Sequence, residues 1–227
     1  MIEVYAVNLK NKLSQDIYHQ LFCQVSEEKQ ERIKKFRRIE DAQRSLISDV
    51  LVRRIITNKL RLKNEDIVFE YNEYGKPTLK QQQGCSFNTS HAGDWIVCAV
   101  HELPVGIDVE HIQPIEFDIA KRFFSHEEYQ ELMQKEESQR LSYFYELWTL
   151  KEAYIKAVGK GLSIPLDSFC FHINSAKIIF NSKEDTRNYS FKQYKIDPDY
   201  KMAVCGMDSR FADDVKHLRA EELITLK

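Results

Sequence analysis

Along the chain the apolar and polar positions change period several times, and each change marks an element. Ile2 to Val7 reads as an opening strand. From Ser14 to Phe22 the pattern becomes helical, with Ser14 placed to cap and Asp16 in the first turn. A second helical stretch follows Ser26. From Asp41 to Leu60, Leu46, Val50, Ile55 and neighbouring apolar residues recur at three- and four-residue intervals, which predicts the long helix of the first half.

The period then shortens to that of strands at Ile67 to Tyr71, Trp95 to Val100 and Val105 to Glu110. A turn at His101 to Pro104 separates the last two, and a hairpin is the simplest reading of that pair. Helical spacing returns from Ser125 to about Met133 and from about Ser138 to Val158, where Gly159 and Gly161 stand just past the end. Phe169 to Ile173, Ser190 to Ile196 and Tyr200 to Cys205 read as strands. The order implies an α+β fold of two comparable halves. No Pro-, Gly- or Ser-rich linker separates them, so they are expected to share an interface.

Composition narrows the class. With 227 residues and 43% hydrophobic content, the chain can build one large core or two fused ones. Lys plus Arg total 33 and Asp plus Glu 35, so electrostatic arguments rest on local clusters rather than on the net charge of -2. The five cysteines are scattered and lack metal or redox spacing, which suits buried thiols in a reducing cytoplasm. No apolar run approaches the length of a membrane span, and the first residues do not read as a signal peptide. A cytosolic, soluble protein is expected.

Five groups can carry chemistry. In VGIDVE, strand alternation puts Gly106, Asp108 and Glu110 on one face. Two ionised carboxylates at about 6.5 Å repel by about 2–3 kcal/mol at an effective dielectric near 20, which solvent or a bound cation can offset. Gly106 allows a ligand or backbone to approach that face. On the last long helix, Glu152 lies four residues after Trp148 and four before Lys156, at the edge of an apolar stripe. Taken alone, Glu152 and Lys156 are better explained as a plain helix ion pair.

SFNTSHAGDW gathers Asn88, Thr89, Ser90 and His91 into an expected turn, which can satisfy its own backbone or bind phosphate. Lys29, Arg32, Lys34, Lys35, Arg37, Arg38, Arg44, Arg53 and Arg54 make the first helices basic. Against nucleic acid stand a pI near 6.4 and the lack of a recognised binding signature. A smaller anion with clustered phosphates suits the patch better. EYGKP, at Glu73 to Pro77, reads as a glycine turn.

In order and spacing these pieces resemble the Sfp-type 4'-phosphopantetheinyl transferases, which activate carrier domains of nonribosomal peptide and polyketide synthetases. The resemblance runs through GKP, FNTSH, GIDVE, RFFS, WTLKEAYIK, GKGL and YKMAVC, and is carried chiefly by GIDVE followed about forty residues later by WTLKEAYIK. Thr89 departs from the branched aliphatic usual in that family's turn.

The resemblance implies two similar lobes, 1–103 and 104–227, related by a pseudo-twofold axis with the active site between them. It implies Mg2+ on Asp108, Glu110 and Glu152, and Lys156 on the pyrophosphate of coenzyme A. Lys29, Arg32, Arg44, Ser90 and His91 would hold its phosphates, and Lys76 with Pro77 would line the adenine end. The reaction implied is attack by a serine of an apo acyl or peptidyl carrier protein, releasing adenosine 3',5'-bisphosphate. Glu152, Lys156 and Glu128 are the catalytic candidates, with a metal-bound water as rival base to Glu128. Ser125 to Glu128 also fits a helix capping box. Lys121, Arg122, Phe123 and Phe124 are candidate carrier contacts, although the two rings can equally be core. A monomer suffices, with neither nucleic acid nor membrane as partner. The competing readings are a non-catalytic carrier-protein or coenzyme A binding module and a basic-helix nucleic-acid binder.

Overall fold

The structure, a computed structural model, describes residues 1–80, 84–174, 177–182 and 185–224. The first half runs β1 (Glu3–Asn8), α1 (Gln15–Phe22), α2 (Glu27–Lys34), α3 (Ile39–Leu60), β2 (Phe69–Tyr71), β3 (Pro77–Leu79), β4 (Ser86–Ala92) and β5 (Trp95–His101). The second half runs β6 (Val105–His111), α4 (Asp118–Phe123), α5 (His126–Gln134), α6 (Glu137–Val158), β7 (Phe169–Asn174), β8 (Lys177–Ser182), β9 (Ser190–Tyr194), β10 (Tyr200–Gly206) and β11 (Lys216–Leu218).

Strand alternation builds the core in layers. Two sheets, ordered β11-β1-β5-β4 and β6-β10-β9, face each other. Ile2, Val4, Ala6, Val97, Ala99, Val105, Ile107, Val109, Met202 and Val204 fill the space between them. The alternate residues point outward onto helices. Val7, Ile96, Cys98 and Val100 pack with Leu46, Ile47, Val50 and Leu51 of α3, while Ala203 and Cys205 pack with Leu150, Ala153 and Ala157 of α6. The result is an α+β sandwich of two lobes, each with one 22-residue helix on its own sheet.

Local chemistry accounts for the helix ends. The hydroxyl oxygens of Ser14 and Ser26 accept from the amides of Ile17 and Lys29, both at 3.3 Å, capping α1 and α2. α6 stops at Gly159, whose φ of 81° is the left-handed conformation glycine adopts readily.

Three expectations change. Trp95 to Val100 and Val105 to Glu110 are not a hairpin: β5 pairs with β1 and β4, β6 pairs with β10, and the intervening turn crosses from one sheet to the other. SFNTSHA is not a turn but β4, and the hairpin lies one step earlier, where Ala92 opposes Trp95 across Gly93 and Asp94. Its polar residues misled because they serve a neighbouring strand, the buried Asn88 carboxamide oxygen accepting from the Ile107 amide at 2.9 Å. Finally, 104–227 does not stay in one lobe. β11 pairs in parallel with β1, and Ala220 and Leu223 join the first core.

Glu128 is also corrected. Its carboxylate is fully buried, accepting from the amides of Ser125 and Phe171, both at 2.8 Å, and pairing with the equally buried Lys151 ammonium at 2.7 Å. Lys151 also donates to the Leu166 and Phe169 carbonyls. Burial lowers the Lys151 pKa, and the Glu128 charge opposes that fall. Both Glu128 oxygens are thus committed to joining α5, α6 and β7, so the capping role holds and the carboxylate is not presented as a base.

Removing one partner strands the other charge in the core, which typically costs about 3–5 kcal/mol. Glu128→Ala is expected to lower stability by that amount in urea unfolding, and Glu128→Leu combined with Lys151→Met to recover most of it. A wild-type midpoint for Glu128→Ala would refute the structural role.

Candidate active site

The cleft between the lobes has a volume of about 530 Å3 and takes one group of side chains from each surrounding element. β4 supplies Thr89, Ser90 and His91; β6 supplies Asp108 and Glu110; α6 supplies Trp148, Glu152 and Lys156; α2 and α3 add Lys29, Ser45 and Ser48. Asp108 and Glu110 face the cleft together because they stand two residues apart on β6. Trp148, Glu152 and Lys156 do so because four-residue steps keep one helix flank.

Asp108 is the centre of this group. Only 2% of it is exposed, and its Oδ1 accepts from Lys156 Nζ at 2.6 Å and from the Ser90 hydroxyl at 2.8 Å. Lys156 also reaches Ser90 Oγ at 3.0 Å. Asp108 Oδ2 is buried with no hydrogen-bond partner among the described residues. An orphaned carboxylate oxygen of that kind costs roughly 1–3 kcal/mol or more, and calls for a further cation or donor.

The other carboxylates are unsettled as well. Burial, then the neighbouring Asp108 charge, pushes the Glu110 pKa up to about 7 despite Lys156 and a hydrogen bond from Trp148. Burial and Asp108 likewise raise Glu152, which makes no hydrogen bond or ion pair among the described residues. The three carboxylates are not drawn onto one point: the one cluster of three such ligand atoms lying mutually within 4.8 Å among the described residues is elsewhere. An oxygen-only donor set with an unpartnered buried oxygen fits a hard divalent cation such as Mg2+.

The cationic residues divide. Lys29 lines the cleft with its ammonium 4.0 Å from Asp49, and burial lowers its pKa. His91 stands at the rim, where the surrounding protein and then the Arg44 charge lower its pKa. Arg44 itself donates to the Gly93 carbonyl at 2.9 Å and to Asp41 at 2.5 Å. Arg32 is not in the cleft lining. It lies over the Tyr71 ring in an adjoining cavity of about 420 Å3 that Lys29 also lines.

The Lys76 ammonium is spent within the fold. It donates to the Val105, Lys156 and Ala157 carbonyls at 3.2, 2.6 and 3.1 Å, closing the end of α6, and burial pushes its pKa down to about 8. Neither Lys76 nor Pro77, which opens β3, lines the cleft. Of the expected carrier contacts, Lys121 and Arg122 are exposed, Phe123 stacks edge-on to Trp148 at 5.9 Å, and Phe124 is core.

The sequence reading missed Ser45 and Ser48 as lining residues. Three-residue spacing beside Arg44 and Asp49 on one helix was the available signal, and nothing distinguished it from a solvated face.

Two family profiles match adjoining segments. Residues 12–103 match the 4'-phosphopantetheinyl transferase N-terminal family, and residues 104–205 the 4'-phosphopantetheinyl transferase superfamily. The chain is 40% identical over 224 residues to the 4'-phosphopantetheinyl transferase Sfp of Bacillus subtilis, covering 98% of this chain and all of that one. It is 36% identical to the 4'-phosphopantetheinyl transferase gsp of Aneurinibacillus migulanus, covering 100% of this chain and 95% of that one. A human L-aminoadipate-semialdehyde dehydrogenase-phosphopantetheinyl transferase is 30% identical over 79% of this chain and 66% of its own. The chain is therefore an Sfp-type enzyme and belongs to the 4'-phosphopantetheinyl transferase superfamily.

Proposed function

We propose that this transferase moves 4'-phosphopantetheine from coenzyme A to a serine of an apo acyl or peptidyl carrier protein, with Mg2+ held by Asp108, Glu110 and Glu152. The observation that carries the reading is the buried, unpartnered Asp108 Oδ2 beside two further carboxylates in a cleft edged by Lys29 and His91. Three carboxylates and the Lys156 ammonium leave two negative charges when all are ionised, which a divalent cation balances. When bound, Mg2+ neutralises charge on the pyrophosphate oxygens.

The chain's own groups do the rest. Lys29 and His91, with Arg44 behind His91, attract and orient the phosphates from the α2 and β4 side. Lys156 Nζ, now shared between Asp108 and Ser90, turns to the pyrophosphate as negative charge develops on the leaving group. The carrier serine oxygen bonds to the β-phosphorus, and the bond from that phosphorus to the bridging oxygen breaks. Adenosine 3',5'-bisphosphate leaves with that oxygen. With Glu128 withdrawn into the core and the three cleft carboxylates assigned to the metal, the serine proton passes to water in the cleft.

Exposed Lys121 and Arg122 near Phe123 suit an acidic carrier surface. No helix among the described residues is long and apolar enough to cross a membrane. A cytoplasmic monomer is the setting this reading takes.

Incubation with coenzyme A, Mg2+ and an apo carrier domain is expected to add one phosphopantetheine mass increment to the carrier. Absence of the increment across several carriers, with coenzyme A still bound, would favour a non-catalytic binding module. Asp108→Ala and Glu152→Ala are expected to reduce transfer by at least 100-fold, about 2.7 kcal/mol or more in the barrier, without loss of fold by circular dichroism. Lys156→Ala should lower kcat more than it weakens carrier binding. Independently of turnover, millimolar Mg2+ is expected to raise the Tm of the wild-type chain and not that of Asp108→Ala. An equal Tm rise in both would place the metal elsewhere.

A further inference from the structure

Cys170 and His172 stand two residues apart on β7 and project from one face of the strand. Opposite them on α5, Glu127 and Glu131 lie one helical turn apart. The Cys170 sulfur is 3.7 Å from Glu127 Oε2 and 3.8 Å from His172 Nε2, and that nitrogen is 3.5 Å from Glu127 Oε2. The three atoms form a nearly equilateral triangle. Around a tetrahedral Zn2+ with bonds of about 2.0–2.3 Å, neighbouring ligand atoms stand about 3.4–3.6 Å apart. The sides of the triangle thus lie within about 0.2 Å of the edges of one face of that tetrahedron.

A second observation concerns the imidazole. His172 Nδ1 faces Glu131 Oε2 at 3.3 Å. In the tautomer that donates from Nδ1 to this carboxylate, Nε2 turns its lone pair to the triangle. A carboxylate behind a ligating histidine fixes the ring and strengthens the donor nitrogen. Among the described residues, Glu127, Cys170 and His172 are the group whose ligand atoms all lie within 4.8 Å of one another.

We propose that Cys170, His172 and Glu127 form a binding site for Zn2+ or a comparably soft divalent transition ion, with Glu131 positioning His172. Sulfur and imidazole donors select such ions over Mg2+. None of these residues lines the transferase cleft, so the site is separate from it. A cavity of about 760 Å3, lined by Glu127, Cys170 and Asn181, lies beside it and leaves the fourth coordination position to water or a small ligand. Binding loses the thiol proton to solvent and joins the ion to sulfur, nitrogen and oxygen, with no change of oxidation state. It clamps α5 to β7 one residue along each element from the buried bond between Glu128 and the Phe171 amide.

The test uses Co2+ titrated into the metal-stripped full chain. One equivalent is expected to give a thiolate-to-cobalt charge-transfer band, displaced by Zn2+ and not by millimolar Mg2+. Cys170→Ser should abolish the band. Cys23→Ser, which removes an exposed thiol 3.8 Å from His19, should keep it. Glu131→Gln should weaken affinity about 10–100-fold. His172→Ala serves in place of Cys170→Ser if that variant does not fold. Absence of the band, its survival in Cys170→Ser, or its loss in Cys23→Ser would overturn the proposal.

Discussion

The direct seating of α6 on β6 at Gly106 fixes the position of the whole cleft. A Cβ at Gly106 would overlap the Ala153 carbonyl oxygen and the Ala157 amide nitrogen, so only glycine lets the helix lie against the strand. Ala153 and Ala157, both buried, keep the helix side of that contact equally small. Each of the three residues precedes or follows a functional group. Glu152 and Lys156 immediately precede the alanines, and Asp108 lies two residues along β6. Closing the helix onto the strand therefore brings Lys156 to 2.6 Å from Asp108. Lys76 reinforces the same contact by donating at once to the strand carbonyl of Val105 and to the helix carbonyls of Lys156 and Ala157.

Among the described residues the sequence made every α-helix but the six-residue α4 readable, and with them the period of β1, β6 and β10, because their apolar spacing is set by a core on one or both sides. Pairing was less readable. β5 is buried on both faces, so its pattern carries no indication of which neighbour it takes, and proximity in the chain suggested β6. β4 looked like a turn because Asn88 and Ser90 are turn formers in isolation. In the folded chain they point to β6, where one satisfies a backbone amide and the other Asp108. β11 is three residues long and owes its place to β1, more than two hundred positions away. No local signal reports such a pairing.

Single residues show the same limit. Asp108, Glu110, Glu152 and Lys156 could be placed on shared faces from period alone, and the structure brings all four into one cleft. Lys76 and Glu128 could not be judged that way. Whether a charged side chain faces solvent, ligand or core depends on partners distant in sequence: three carbonyls for Lys76, Lys151 and the Phe171 amide for Glu128. Lys151 lay unnoticed between functional neighbours because one step around a helix changes the environment entirely.

That one-step change also explains how α5 serves two chemistries. Glu128 points into the core and spends both oxygens there, while Glu127 turns outward to Cys170 and His172. On β7 the same division separates Phe171, in the core, from Cys170 and His172 on the other face. The buried face sets the distance between helix and strand, and that distance gives the outer residues a triangle 3.5–3.8 Å on each side. In the cleft the carboxylates are not gathered in this way, and Asp108 is bridged instead to the Lys156 ammonium at 2.6 Å. The outer face joins sulfur and imidazole donors, which favour a transition ion, to the oxygen of Glu127, whose side chain is 67% exposed.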